Sequence, residues 1–316
     1  MKKLLITGSS GFVGSYFVNK YKKKYDIKLF SFRKDDLSTL DCINIDVILH
    51  LSALVHQMGG ANASEYERVN VTQTLELAKK AKESGVKHFV FMSTVKVYGE
   101  ETINVYTESS ECKAEDEYGK SKLKAERELL KLEDESFKVS IIRTPIVYGY
   151  GVKANIKSLA NLVNKVPILP FGKIENKRSM VYIGNLCHLV DVVIGATEVA
   201  LPKSDYFGCT ALAVSDEVKG AAKAALPSVF LACDDEPLST SKLCKLIAKS
   251  LNKKVYLIKF PFFESLLKLV KPSFHKRLYG SLEVDNMITK KRLNLSNPYS
   301  VEEGIGFMIK GENSLE

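Results

Sequence analysis

Short apolar runs and stretches of helical spacing alternate through the first half of the chain. The runs that predict strands are residues 4–7, 27–32, 46–53, 88–94 and 139–149, and helical spacing occurs after residue 11, at about 63–84 and at 118–132. Runs such as VILHL and FVFM are apolar on both sides, which is typical of strands covered by helices on both faces. This alternation predicts an α/β fold with a doubly wound parallel sheet.

The second half of the chain departs from this alternation after Tyr150 and predicts a smaller mixed domain. A strand entering a helix is predicted over 181–196, another strand over 229–235, and a helix after Ser239 or Thr240, either of which can cap its first turn. We therefore assign residues 1–150, with returning segments near 181–201 and 228–235, to the sheet domain, and residues 151–180 and 236–316 to the smaller, C-terminal domain.

Three segments do not fit a simple pattern. About a dozen residues separate Arg33 from Asp46, too few for a full helix and a further strand, so this crossover is predicted to be trimmed. The run 204–227, rich in alanine and lysine, has no clear role. The apolar helical stripe at 262–270 predicts packing or a subunit contact rather than a membrane anchor.

The first strand runs directly into a turn with three regularly spaced glycines, Gly8, Gly11 and Gly14. Without Cβ atoms, this backbone can turn sharply and approach a pyrophosphate closely. The phosphate charge would then lie on the free N–H groups of the first helical turn, at Phe12 and Val13. The chain therefore predicts a Rossmann-type fold with a dinucleotide site.

Composition excludes several other classes of protein. The net charge of +9 comes mainly from lysines scattered along helix faces, which indicates solvation and attraction for an anionic ligand rather than nucleic-acid binding. The six cysteines form no CxxC pair, so neither a disulfide framework nor a metal site is expected. No signal sequence and no run of about 18 apolar residues occurs, so the interpretation is a cytoplasmic enzyme without membrane insertion.

Tyr118 and Lys122 lie four residues apart in a helical pattern and project from one face. An ammonium group there is expected to lower the proton affinity of the phenol, so that the phenol can exchange a proton with a carbinol near neutral pH. Ser93 and Thr94 end a strand about 24 residues earlier, and their hydroxyls are expected to hold the same carbinol oxygen.

The end of the second predicted strand indicates which dinucleotide is bound. The acidic residue that would accept the ribose 2′-hydroxyl is missing; Ser31 is in its place, with Arg33 two residues further on. A carboxylate would repel a 2′-phosphate, whereas this pair would accept it. The sequence therefore favours NADP(H) and leaves NAD open.

Seven sequence blocks occur in the order found in extended short-chain dehydrogenase/reductases of the nucleotide-sugar epimerase and dehydratase type. They are TGSSGFVG, HLSA, RVNVTQT, FVFMSTVKVYGE, YGKSK, IIRTPIVYGYGVKAN and NKRSMVYIGNL. The chain resembles this family along nearly its whole length. Within the family it is most similar to a branch from surface-polysaccharide pathways that is commonly labelled UDP-glucose 4-epimerase and that includes reductases of UDP-4-keto-6-deoxy-N-acetylglucosamine.

The resemblance implies roles for single residues. Thr94, Tyr118 and Lys122 match the catalytic Ser/Thr, Tyr and Lys of the family, and Asn155 and Arg178 match positions that contact the nucleotide diphosphate of the sugar. With the residues argued above, the predicted cofactor-binding set is Gly8, Gly11, Phe12, Val13, Gly14, Ser31, Arg33, Ser52, Ala53, Asn70, Ser93, Tyr118 and Lys122.

The predicted activity is oxidation or reduction at hexose C4 of a UDP-sugar. Net reduction of a 4-keto UDP-(N-acetyl)hexose, in the synthesis of surface-polysaccharide sugars, is the first choice because Ser31 and Arg33 favour a consumed NADPH. The first alternative is C4 epimerisation of a UDP-hexose with retained NAD. The second alternative is a catalytically silent NADP-binding regulator. A homodimer is left open.

Overall fold

Ten strands in three parallel sheets form the β-structure of the described chain. The computed structural model describes residues 1–55, 62–102, 104–196 and 229–311. The strands are β1 (Lys3–Thr7), β2 (Asp26–Phe30), β3 (Val47–His50), β4 (His88–Thr94), β5 (Lys138–Thr144), β6 (Ile146–Tyr148), β7 (Ile168–Leu169), β8 (Met180–Tyr182), β9 (Val229–Leu231) and β10 (Tyr256–Leu257).

Eleven α-helices occur in the described part of the chain. They are α1 (Phe12–Tyr21), α2 (Ala63–Tyr66), α3 (Gln73–Glu83), α4 (Glu117–Leu132), α5 (Ala154–Lys165), α6 (Ile183–Ala196), α7 (Thr240–Ser250), α8 (Phe263–Val270), α9 (Pro272–Tyr279), α10 (Met287–Leu293) and α11 (Val301–Lys310). Short 3₁₀ turns span Leu37–Thr39 and Val95–Val97, and a π-helical turn, Glu67–Thr72, joins α2 to α3.

The large sheet has the strand order β2-β1-β3-β4-β5-β9, and all of its strands are parallel. Strand β2 lies on one side of β1, whereas β3 and the strands after it lie on the other side. The direction in which strands are added therefore reverses between β1 and β3. In such a sheet, a crevice for a ligand forms outside the carboxyl ends of the strands at this reversal. The predicted Rossmann-type α/β fold is confirmed.

Apolar side chains on both faces of the sheet explain the uninterrupted apolar strands. Along β1, Leu4 and Ile6 belong to one buried cluster, together with Phe17 of α1, while Leu5 belongs to a second cluster with Leu77 of α3. Successive strand residues point to opposite faces, so each face of the sheet receives its own layer of helices.

The crossover between β2 and β3 is trimmed, as the short spacing predicted. In place of a full helix it contains the 3₁₀ turn Leu37–Thr39, which Asp36 caps by accepting the Ser38 N–H at 2.9 Å. The predicted helix at about 63–84 is also present, although it is divided by the π-helical turn.

One segment of the second half joins the large sheet, whereas the strand β8 pairs with β6 in a separate sheet. The segment 229–231 pairs with β5 as the edge strand β9. Helix α6 packs on α1, and Asp191 of α6 accepts from Lys24 Nζ and from the Tyr25 hydroxyl just after α1, both at 2.7 Å. Ser239 caps α7 by accepting the Lys242 N–H at 3.1 Å. The run 204–227, whose role the sequence left open, lies outside the described residues.

Candidate active site

The glycine turn joins β1 to α1 and lies against the residues that follow β3. Gly8 has a φ of +72°, and a Cβ built there would lie 2.7 Å from both the Leu51 carbonyl carbon and the Ser52 nitrogen. A Cβ on Gly14 would lie 2.8 Å from the Cα of Ser9, inside the same turn. Only residues without a side chain allow the turn to close this tightly.

The first turn of α1 is a candidate anion site. Gly11 precedes the helix, and its N–H donates to the Gly8 carbonyl oxygen at 3.0 Å. No side chain caps the helix at Gly11, and the first turn contains no acidic residue. The amides of Phe12 and Val13 lie in this turn, where N–H groups have no intrahelical partner and the helix dipole favours an anion. The turn therefore fits the pyrophosphate of a dinucleotide.

A chain of hydrogen bonds connects the ends of β1 and β3 with the π-helical turn. The Ser52 N–H donates to Thr7 Oγ1 at 3.3 Å, and Thr7 Oγ1 lies 2.8 Å from His50 Nδ1. His50 Nε2 lies 3.0 Å from Thr74 Oγ1, which donates to the Asn70 carbonyl oxygen at 2.9 Å. Since Thr74 uses its proton on that carbonyl, His50 must donate from Nε2 and accept at Nδ1.

His50 remains neutral in this chain, because burial lowers its pKa to about 3. Sequence reasoning missed Thr7, His50 and Thr74 as contributors to the site. The available signal was a histidine inside an otherwise apolar strand. Their role is to fix the loop after β3, which carries Ser52 and Ala53, to the helix that carries Asn70.

The side chain of Asn70 binds other groups of the protein and has no free donor, and its predicted position beside the cofactor stays a prediction. Its Oδ1 accepts the Leu54 N–H at 2.8 Å, and its Nδ2 donates to the Leu54 carbonyl oxygen and to Ser121 Oγ, both at 3.0 Å. Both amide protons are therefore used. Asn70 therefore holds the loop after β3 against α4 at Ser121, the residue before Lys122.

The end of β2 carries a carboxylate that the sequence did not predict. Asp35, from the turn that follows, accepts the Ser31 N–H on Oδ2 at 2.9 Å. Arg33 lies on the exposed surface of that turn. Ser31 occupies the place of the expected acidic residue, but a carboxylate lies beside it, supplied by Asp35 four residues later in the chain.

Ser93 and Thr94 end β4, but their hydroxyls point in different directions. The Ser93 hydroxyl is buried and donates to Glu126 Oε1, and Glu126 also forms a buried ion pair with Arg143 at 2.6 Å. The prediction that Ser93 shares a carbinol oxygen with Thr94 is wrong, because adjacent strand residues face opposite sides of the sheet. The Ser93 hydroxyl proton is used on Glu126, and a contact of Ser93 with the cofactor stays a prediction.

The Thr94 turn and the first turn of α4 are held together at the carboxyl edge of the sheet. Lys96, two residues after Thr94, forms an ion pair with Asp116 at 2.6 Å, and Asp116 caps α4 by accepting the Gly119 N–H at 2.7 Å. A Cβ on Gly119 would lie 2.9 Å from the Lys96 carbonyl oxygen. These contacts bring Tyr118, at the start of α4, to the same turn as Thr94.

Lys122 follows one helical turn later and is almost completely buried, at 2% exposure. Its Nζ donates to the Met92 carbonyl oxygen at 2.8 Å and lies 4.2 Å from the centroid of the Phe91 ring. Burial lowers the pKa of Lys122 to about 7, although the Glu126 carboxylate opposes this shift. Its ammonium group is therefore close to losing its proton at neutral pH.

The pKa of Tyr118 is raised, opposite to the direction expected from a neighbouring ammonium. The largest cause is burial, and the negative charge of Asp116 adds to it, followed by Tyr66, whose ring centroid lies 6.3 Å away. Burial and the nearby negative charge both disfavour the phenolate. In this structure Tyr118 is consequently a phenol that can donate a proton.

The two residues assigned to the sugar nucleotide both contact α9. Arg178 donates from Nε to the Gly280 carbonyl oxygen at 2.9 Å and from Nη2 to the Lys276 carbonyl oxygen at 3.0 Å. Burial lowers the pKa of Arg178. Asn155 Oδ1 accepts from Arg277 Nη1 at 3.4 Å, which adds a second guanidinium that the sequence analysis did not single out. Two guanidinium groups therefore lie on this side of the site, with the carboxylates of Glu100 and Glu101 acting on Arg178.

Sequence comparison identifies a family and several relatives. A sequence model of the NAD dependent epimerase/dehydratase family matches residues 4–206. The UDP-glucose 4-epimerase of Vibrio cholerae is 37% identical over 334 residues, covering 96% of this chain and 93% of that protein. An N-acetyl-alpha-D-glucosaminyl-diphospho-ditrans,octacis-undecaprenol 4-epimerase of Escherichia coli O157:H7 is 27% identical, covering 59% of this chain and 61% of that protein.

Solved structures share the fold at lower identity. The UDP-glucuronic acid 4-epimerase of Bacillus cereus in complex with NAD is 19% identical, with a TM-score of 0.70 over 99% of both chains. The UDP-N-acetylglucosamine 4-epimerase of Methanobrevibacter ruminantium M1, in complex with UDP-N-acetylmuramic acid, is 18% identical, with a TM-score of 0.72 over 100% of this chain and 99% of that one.

Proposed function

The chain belongs to the NAD-dependent epimerase/dehydratase family of extended short-chain dehydrogenase/reductases, and within it we propose that this protein is a UDP-sugar 4-epimerase. The observation that carries the proposal is the docking of the Tyr118 helix on the Thr94 turn through Lys96 and Asp116. This docking supports a site at the carboxyl edge of the sheet to which Tyr118 contributes a phenol, Thr94 a hydroxyl and Lys122 a buried amine. Similarity to the Vibrio cholerae UDP-glucose 4-epimerase supports C4 as the reacting carbon.

The cofactor that fits is a nicotinamide dinucleotide. Gly8 to Gly14 and the amides of Phe12 and Val13 would hold its pyrophosphate, and the loop with Ser52 and Ala53 would border it. When bound, this cofactor supplies the group that takes a hydride from sugar C4 and returns it. We propose NAD rather than NADP, because the Asp35 carboxylate beside Ser31 would accept a ribose hydroxyl and repel a 2′-phosphate.

Side chains of this protein would transfer the proton of the sugar C4 hydroxyl. Tyr118 first loses its phenol proton to solvent; as the phenolate it takes the proton of the C4 hydroxyl while that carbon is oxidised, and the resulting phenol gives the proton back when the carbon is reduced from the other face. Thr94 donates a hydrogen bond to the same oxygen. Lys122 lies one helical turn from Tyr118, and its protonated form stabilises the phenolate. Because the pKa of Lys122 is about 7, a fraction of the lysine is protonated at neutral pH.

The sugar nucleotide would lie between the sheet and the smaller domain. Arg178 and Arg277 provide guanidinium groups suited to a diphosphate, and Asn155 provides an amide. We propose the division predicted from the sequence, with residues 151–180 and 236–316 forming the nucleotide-sugar side. Its support is that Asn155 and Arg178 both contact α9, far from the glycine turn in sequence.

Net reduction of a 4-keto UDP-sugar is a second candidate, favoured by Ser31 and the exposed Arg33. If Arg33 turns over the end of β2, the pair would accept a 2′-phosphate and the protein would consume NADPH. This function, its place in polysaccharide synthesis and a homodimer remain predictions.

Identification of the nucleotide retained by the purified chain tests the proposal. An epimerase regenerates its cofactor in each cycle, so we expect stoichiometric NAD to be released when the protein is denatured. Release of NADP, or purification without nucleotide together with saturable NADPH consumption, would favour the reductase. The measurement is chromatography of the acid extract, with the dinucleotides as standards.

A further inference from the structure

A surface of exposed apolar residues surrounds α8, at the edge of the smaller domain. Phe262 is 87% exposed and Leu269 is 82% exposed. The other exposed apolar members are Phe260, Leu266, Val270 and Phe274. We name these six residues the α8 surface. Large apolar side chains exposed close together on a protein surface often mark a site of contact with another surface.

The α8 surface is one face of a helix whose other face is already packed. Phe263 and Leu267 pack against the main core, and the Phe263 ring lies 6.4 Å from that of Phe171. Leu269 projects away from this contact, while Leu266 and Val270 lie between Leu269 and the packed face and are also exposed. The sequence predicted packing or a subunit contact for the stripe rather than a membrane anchor, and core packing accounts for only two of its residues.

Phe262 has an unusual backbone conformation at the exposed start of the helix. Its φ is +60°, in the left-handed region that bulky residues rarely adopt. Such a conformation is retained when something compensates for it, and the exposed ring makes little contact within the described fold. A contact outside the chain would provide the compensation.

Basic residues border the α8 surface and give it a strong positive charge. The segment 253–277 contains seven lysines and arginines and one acidic residue, Glu264, which lies 3.4 Å from His275. Lys259, Lys268 and Lys271 are exposed and form no ion pair with another described residue. These cations are therefore available to an anionic surface.

We propose that the α8 surface binds the interface of a lipid bilayer that contains anionic lipids. A short helix with exposed phenylalanine and leucine on one side and lysines around it has the composition of interfacial membrane-binding helices. The lysines would lie among the anionic headgroups, and the apolar side chains would enter the boundary of the acyl chains. The contact is peripheral, because no helix in the described ranges is long and apolar enough to cross a membrane.

A second copy of the chain fits this surface less well. A two-fold interface places the same patch on both partners, so the lysines around one α8 would oppose the same lysines of the other. Like charges brought together in this way oppose association. An anionic bilayer satisfies both the apolar residues and the cations, and this proposal does not depend on the catalytic function.

Vesicle flotation with the full-length chain tests the proposal. We expect binding to vesicles of equal parts phosphatidylcholine and phosphatidylglycerol, weak binding to phosphatidylcholine alone, and release at high salt because screening weakens the attraction. The double variant Phe262→Ser, Leu269→Ser should reduce the bound fraction about tenfold or more, because it removes apolar area that the bilayer would bury. Lys268→Glu with Lys271→Glu should reduce it about tenfold or more by reversing two charges.

Matched substitutions elsewhere provide the controls. Ile43→Ser removes an exposed apolar residue, and Lys23→Glu reverses an exposed cation, both far from α8 in sequence. Neither should change vesicle binding, and catalytic activity should be unchanged in all variants. The proposal is overturned if the chain does not float with the anionic vesicles, or if the α8 variants bind as well as the controls. Self-association that the α8 variants abolish, without vesicle binding, would overturn it in favour of a second copy.

Discussion

At the candidate site, burial changes the proton affinity of the two central residues in opposite directions. It lowers the pKa of Lys122 to about 7 and raises that of Tyr118. Both pKa shifts favour the uncharged form of the side chain. Near neutral pH the side chain whose charge should change is therefore Lys122 rather than Tyr118. The protonated form of Lys122 would favour the phenolate of Tyr118 over the phenol.

The stability of the nucleotide-free chain should report the shifted pKa of Lys122. The pKa in the folded chain, about 7, is below the usual 10.5, so the unfolded chain binds more protons between these values. The contribution of Lys122 to the free energy of unfolding therefore rises with pH across this window, by at most about 1.4 kcal/mol per pH unit. Lys122→Met should lack this rise, measured by denaturant unfolding at several pH values above about 7.

Parallel pH profiles for the wild-type chain and Lys122→Met would contradict this account, because they would mean that Lys122 keeps its ordinary pKa when buried. Cysteines and tyrosines titrate at the alkaline end in both proteins. The comparison is consequently between the two profiles and not between two pH values of one protein.

Asp35 should determine which dinucleotide the chain prefers. Asp35→Asn keeps an oxygen that can accept the Ser31 N–H and removes the negative charge at the end of β2. The affinity for NADPH relative to NADH should rise about tenfold, as expected for loss of one charge repulsion near the surface. Titration of nicotinamide fluorescence with each reduced cofactor provides both dissociation constants.

Asp36→Asn is the matched control, since Asp36 is the adjacent carboxylate and instead caps the Ser38 N–H at 2.9 Å. It should leave the cofactor ratio unchanged. An equal change in both variants would show that the overall charge of the turn matters and that the position of Asp35 does not.

At the level of whole elements, a buried ion pair joins β4, α4 and β5 beneath the site. Glu126 of α4 accepts from Arg143 of β5 and from Ser93 of β4, and Arg143 Nη1 donates to the Tyr98 hydroxyl at 2.7 Å. The side chains of the pair are only 2% and 3% exposed. The network fixes α4, and therefore Tyr118 and Lys122, relative to the central strands.

Glu126→Gln should strongly destabilise the fold, because it leaves the Arg143 charge buried and unpaired. We expect the free energy of unfolding to fall by about 3 kcal/mol or more. Glu128→Gln, two residues along the same helix, removes an exposed ion pair with Lys131 and should cost less than about 1 kcal/mol. Denaturant unfolding compares the two; equal effects would refute the structural role given to the buried pair.

At the scale of the whole molecule, the sequence predicted those features that depend on local pattern. The apolar runs located the strands of the large sheet, and the spacing of the glycines located the turn before α1. The short interval between Arg33 and Asp46 predicted the trimmed crossover. Each of these signals lies within one segment of chain, so that it can be read without knowledge of the packing.

Features that depend on distant contacts could not be predicted in this way. The direction of the Ser93 hydroxyl follows from strand pleating and from Glu126, which lies 33 residues later in the chain. The carboxylate at the end of β2 comes from a turn whose shape no pattern specifies. The raised pKa of Tyr118 and the lowered pKa of Lys122 both reflect burial, which a helical spacing of four residues does not reveal.

The central claim is that Tyr118 exchanges the C4 proton of a UDP-sugar in an enzyme that regenerates its cofactor. Proton NMR of UDP-glucose and of UDP-N-acetylglucosamine, incubated with the chain and no added reductant, tests it most directly. We predict inversion at C4 of one of these sugars without net change in reduced nicotinamide, and a loss of roughly 10²-fold or more in Tyr118→Phe. Tyr16→Phe, which alters the same tyrosine–lysine spacing in α1, should keep full activity. No inversion of either sugar, together with NADPH-dependent reduction of a 4-keto UDP-sugar, would contradict the claim.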